Sequence, residues 1–176
     1  MSEETLYMFG QALGALAVVL GFVSFQMKTS AGILSFQIAA ALVFSTHYLL
    51  IGAWSAMALN LLACVQCVFY YLRDKRGSKS LVEPIVFTVL TVVTGALSWE
   101  GWYSAFIVLG LAINSISLAL NDAQRTRWCM FVKSPLCLVY NALVMSGGGI
   151  VYECAVLLSS VIGTVRQYQT TKNDKN

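Results

Sequence analysis

Seven side chains carry the chemistry this sequence offers: Asn60, Glu153, His47, Tyr140, Asn141, Asn114 and Lys133. All stand in runs that are largely apolar, small or hydroxylated. Glu153 is the most conspicuous, set within GGGIVYECAVLLSSVIGTV, residues 147–165. A charged group at mid-helix in a membrane costs a few kcal/mol on insertion scales, and such groups usually mark a site. Three amides, a carboxyl, an imidazole, a phenol and an ammonium together suit the binding of a small polar solute. No Ser-His-Asp set, phosphate-binding loop or metal-ligand spacing accompanies them, so the residues argue for binding rather than catalysis, with no cofactor or metal. The cysteines at 64, 67, 129, 137 and 154 all fall in apolar runs. Cys64 and Cys67, one helical turn apart there, read as small packing residues more readily than as a redox pair.

The surroundings of these groups are set by composition. Hydrophobic residues make up 58% and charged residues only 11%, against about 25% charged in soluble domains. Mean hydropathy is +0.73. The lipid bilayer is therefore the main partner, and a net charge of +3 gives no reason to expect nucleic acid. At about 20 residues per span, 176 residues allow seven spans and no soluble domain. Apolar windows fall at about 6–26, 33–51, 56–72, 82–98, 102–120, 127–145 and 149–165. The opening MSEET lacks the basic start of a cleavable signal, so the first window reads as a retained helix.

Charge then orients the chain. Lys28, Arg73, Lys75, Arg76, Lys79, Arg125, Arg127, Arg166, Lys172 and Lys175 fall only in alternate connections. By the positive-inside rule the amino terminus lies outside and the carboxyl terminus in the cytoplasm. An odd number of spans is required, and seven fits.

A shift of 93 residues lays windows 1–3 over windows 5–7 without a gap. Identity between the halves is no better than chance, and the match rests on spans and charged ends. The expected fold is all-α: a three-helix bundle at 1–80, a linker helix at 81–98, and a second bundle at 99–176. Because three is odd, the linker crossing makes the two triplets parallel. Repeat interfaces of this kind commonly hold a transporter's substrate site. The shift places Asn60 on Glu153 and His47 on Tyr140.

The stretch SFQMKTSAGILSFQIAAALVFSTHYLLIGAW resembles the PQ-loop pattern. Segments THYLLIGAWSAMALNLL and VYNALVMSGGGIVYECAVLL resemble uncharacterised bacterial inner-membrane proteins of the YgjV type, over nearly the full length. These are similar in turn to the SWEET sugar transporters and the KDEL receptor. The resemblance implies seven helices in a 3+1+3 plan, a multi-pass inner-membrane location, and an asparagine from the third helix of each triplet in a central pocket. Asn60 and, with a change of type, Glu153 match those positions. Phe25-Gln26 and Leu118-Ala119 stand where the family has its Pro-Gln hinges. Pro135 lies elsewhere, so the family's rocking motion does not carry over directly.

Several roles stay open at this level. Gly10, Gly14, Ala17, Gly21 and Ser24 form one small-residue face of window 1, suited to close helix packing; Asn114 takes the place of Gly21 in window 5. Asn60 is either a pocket residue or interhelical glue. His47 is a pocket residue, a proton carrier or an interfacial histidine wet on one side. Lys133 either snorkels to the cytoplasm or reaches Glu153. An unpartnered Glu153 would stay neutral and donate a hydrogen bond. The reading that joins them is an outward-opening pocket lined by Asn60, His47, Tyr140, Asn141 and Glu153. A carrier fits this best; a non-transporting receptor or a structural subunit are the alternatives. Each chain holds both triplets, so a pathway needs no second copy.

Overall fold

The computed structural model describes residues 3–26, 30–76, 82–119 and 123–173. The connections at 27–29, 77–81 and 120–122, with Lys28 and Lys79, lie outside the described residues, as does Lys175. Seven helices and no strands occur among the described residues: α1 (Glu3–Gln26), α2 (Ser30–Leu50), α3 (Trp54–Arg76), α4 (Val82–Leu97), α5 (Ser104–Ala119), α6 (Ala123–Leu143) and α7 (Gly147–Asn173). In hydrocarbon every backbone polar group needs an internal partner, which leaves the helix as the economical form for apolar runs. By length and composition α1, α3 and α7 are able to cross a membrane, over Glu4–Ser24, Trp54–Arg73 and Gly147–Val165. Shorter apolar stretches occupy α2, α4 and α5.

Two helices depart from the sequence expectation. Helix α7 continues to Asn173 instead of stopping near 165, since RQYQTTKN contains no glycine or proline to break it. Helix α6 starts at Ala123 and takes in residues expected in a connection.

The helices form a closed circuit. Helix α1 packs on α2 and α7, α3 packs on α2 and α5, and α6 lies between α5 and α7; α4 sits outside, against α3 and α5. Along α4 only Pro84, Phe87, Thr91 and Gly95 are buried, and its large apolar side chains such as Val82, Ile85, Val89 and Leu97 are exposed. The small-residue face of α1 lies against its two neighbours. Gly10 abuts Leu50 and Ile51, Gly14 abuts the His47 ring and Gly148, and Gly21 abuts the Tyr152 ring. A Cβ on Gly148 would lie 2.6 Å from the Gly14 Cα, so the α1–α7 crossing requires bare backbone there.

The α2–α3 and α6–α7 turns share one hydrogen-bond pattern, offset by 93 residues. In the first, Ile51 N–H donates to His47, Gly52 to Leu49 and Ala53 to Tyr48. In the second, Val144 donates to Tyr140, Met145 to Ala142 and Ser146 to Asn141. The left-handed residue is Gly52 (φ 78°) in one and Met145 (φ 54°) in the other. Glycine adopts this conformation freely, whereas a side chain there costs roughly 1–2 kcal/mol. Met145 is 71% exposed and contributes little packing to offset that strain. Met145→Gly is expected to stabilise the protein by about 1 kcal/mol, after allowing for added unfolded-state freedom, and Gly52→Ala to destabilise it; thermal unfolding of both variants checks the pair.

Candidate functional site

Helices α6 and α7 run antiparallel from the tight turn at 144–146. Lys133 lies ten residues before Leu143 and Glu153 six after Gly147, which places them about 15 and 9 Å from the turn by helix rise. The offset of about 6 Å is within the length of an extended lysine. Lys133 Nζ donates to Glu153 Oε1 at 2.6 Å, and each side chain is only 6% exposed. Lys133 thus pairs and does not snorkel. The expectation of a neutral, hydrogen-donating Glu153 gives way to a carboxylate accepting from an ammonium. Gly110 lets α5 approach this region, its missing Cβ leaving room for Cys137 Sγ and the Lys133 carbonyl.

The pair borders a cavity of about 100 Å³. Helix α2 contributes Gln37, Phe44 and Tyr48, α3 Asn60 and Cys67, and α5 Asn114; α6 and α7 add Lys133, Asn141, Gly149, Tyr152 and Glu153. Roughly 10–15 Å³ of such space holds one water, so several waters or one small solute fit. Lys133 Nζ stands 5.6 Å from the centre of the Tyr152 ring. Asn60 Nδ2 donates to the Ala56 carbonyl at 2.9 Å. Tyr48 OH donates to Asn141 Oδ1 at 2.6 Å, and any side chain on Gly149 would collide with both. Glu153 Oε2 is buried without a hydrogen-bond partner. Among the described residues no group of His, Cys, Asp and Glu is arranged to hold a metal.

His47 and Tyr140 do not line the cavity. They sit in a buried layer between it and the helix ends joined by the short turns. His47 Nδ1 lies 2.7 Å from the Gly10 carbonyl and Nε2 2.7 Å from Ser146 Oγ. A carbonyl only accepts, so Nδ1 carries the proton; Ser146, which accepts from Gly149 N–H, is then free to donate to Nε2. Tyr140 OH accepts from Ala56 N–H at 3.3 Å and donates to Glu100 Oε2 at 3.4 Å. Glu100 Oε1 accepts from Trp54 N–H at the start of α3, while Ser55 Oγ donates to the Ser98 carbonyl. Across the bundle, Tyr7 and Gln11 donate to the Met145 carbonyl. These contacts close the end that sequence reasoning expected to be the mouth. The half-buried lining residues Gln37 and Asn114 lie farther from it.

Five of the residues singled out in the sequence therefore share one cavity: Asn60, Asn114, Lys133, Asn141 and Glu153. Gln37, Tyr48, Tyr152 and Glu100 were not foreseen. Gln37, Phe44 and Tyr48 follow a helical spacing along one face of α2, one position away from the face that carries His47. Glu100 is an acid in an otherwise uncharged short connection, and that was its signal.

A family model described as a bacterial inner membrane protein, Imp-YgjV, matches residues 8–171. The chain belongs to that family and is a bacterial inner-membrane protein. No curated protein and no solved structure matches it.

Removing one partner of a buried pair strands the other charge, at about 3–5 kcal/mol. Glu153→Ala is expected to destabilise by that amount, and Glu153→Leu combined with Lys133→Met to recover most of it. Denaturation in detergent reads both; equal stability of wild type and Glu153→Ala would contradict the pairing.

Proposed function

We propose that the chain is a multi-pass carrier for a small polar solute, not an enzyme, with its binding site in the cavity between two parallel three-helix units. The units are 1–80 and 99–176, with 81–98 crossing between them. The amino terminus is outside and the carboxyl terminus cytoplasmic, the SWEET-like plan. Three features support the repeat. The two tight turns match at an offset of 93 residues. Exchanging the units converts the α1–α7 contact into the α5–α3 contact, and both exist. Tyr48 and Asn141 are counterparts under the offset and hydrogen-bond to each other, as counterparts beside a two-fold axis do.

The observation that carries the functional reading is the polar cavity itself, lined from both units and holding a charged pair. Repeat interfaces at mid-membrane are where secondary transporters bind substrate. In this reading Asn60, Asn114, Asn141, Lys133 and Glu153 contact the solute. His47 and Tyr140 hold one end shut, and passage requires their layer to part. A non-transporting binder is the second reading, favoured by the uninterrupted run of α1 to Gln26 with no proline near its end.

A thermal-stability screen of the purified protein against small metabolites tests the site. A ligand at a hundred times its dissociation constant stabilises by about 2.7 kcal/mol. At least one polar solute is expected to raise the unfolding temperature, with the rise lost in Asn60→Ala and Glu153→Gln. Flux of that solute into liposomes supports the carrier; binding without flux supports the binder. No stabilising solute, with both variants merely less stable, would overturn the site.

A further inference from the structure

On the reading that the cavity binds a solute, we infer that the solute is a small zwitterion of the amino-acid type. Its ammonium meets Glu153 Oε2 and its carboxylate meets Lys133 Nζ. The buried pair is incompletely satisfied at both ends. The lysine ammonium has three hydrogens, and the contact with Glu153 Oε1 uses one of them. Glu153 Oε2 accepts none, although it is a buried carboxylate oxygen beside a cavity. Such atoms are uncommon, because an unmatched buried acceptor loses its hydration without return.

The charge balance narrows the ligand further. Lys133 and Glu153 together are neutral, and the surroundings are membrane interior. A singly charged solute would leave a net charge in this low-dielectric site, which is strongly unfavourable. A polyol keeps neutrality but offers only dipoles to two full charges. A zwitterion keeps neutrality and presents each charge to its opposite. Lying antiparallel to the pair, it would give every charge two opposite neighbours or one neighbour and the amides of Gln37, Asn60 and Asn114. The volume of about 100 Å³ accommodates the smaller members, glycine and alanine among them.

The test is calorimetric titration of the full chain in lipid nanodiscs with glycine, alanine, glycine betaine, glycerol, methylammonium and acetate. Glycine and alanine are expected to bind. Betaine, which has no N–H to give Glu153, should bind at least tenfold more weakly, and the other three not measurably. In Lys133→Gln combined with Glu153→Gln, which keeps the cavity neutral, glycine affinity should fall at least tenfold. Binding of glycerol without glycine, abolished by Asn60→Ala, would overturn the zwitterion while leaving the solute cavity standing. Methylammonium or acetate binding as tightly as glycine would overturn it as well. If no member binds and a wider metabolite screen also finds none, both the zwitterion and the solute-site reading fail.

Discussion

An ammonium and a carboxylate held 2.6 Å apart inside an apolar bundle set the conditions for the helices around them. Neither charge tolerates such burial alone. Helices α6 and α7 must therefore keep their relative depth, which the tight turn at 144–146 enforces. Helix α5 must come close, and Gly110 permits it. Whatever the pair leaves unsatisfied has to face polar groups instead of lipid, and the asparagines of α3, α5 and α6 supply them around the cavity.

The layer above the cavity obeys the same rule by different means. Its polar groups are neutral or lie at the helix ends, and their hydrogen bonds run between elements far apart in sequence. His47 joins the α1 backbone to the α6–α7 turn, with both ring nitrogens occupied. Glu100 bridges the start of α3 and Tyr140 of α6. A carboxylate at a helix start is favoured by the exposed N–H groups and the helix dipole. Helices α1, α2 and α3 are thus tied at this end to the connections before α5 and between α6 and α7. The cavity and its cover are consequently coupled through Asn141, whose side chain accepts from Tyr48 and whose backbone belongs to the turn that carries Ser146.

Apolar length and basic punctuation made the helices readable from sequence, with their boundaries mostly within a few residues. Glu153 and Asn60, which both line the cavity, drew attention in the sequence because polar groups in an apolar composition stand out individually. Pairing of Lys133 with Glu153 was only one of two readings, because window lengths put the two about 10 Å apart in depth by helix rise. Counted from the shared turn, the gap closes to what a lysine spans. The role of His47 was hidden for a different reason: it depends on which side of α2 faces the cavity, and a rotation of one residue exchanges His47 for Tyr48. With apolar residues all round, α2 offers no periodicity to settle that. The left-handed Met145 was equally hidden, since its counterpart is a glycine and its own type gives no hint of a tight turn.

Solid-state NMR on the protein in bilayers, labelled with ¹⁵N at lysine side chains and ¹³C at glutamate carboxyls, measures the pair directly. The account predicts a strong dipolar coupling between Lys133 Nζ and the Glu153 carboxyl, as the 2.6 Å contact requires, and its loss in Lys133→Met. Absence of that coupling in the wild type, with the Lys133 ammonium instead coupled to lipid phosphate, would place the lysine at the membrane surface and contradict the central claim.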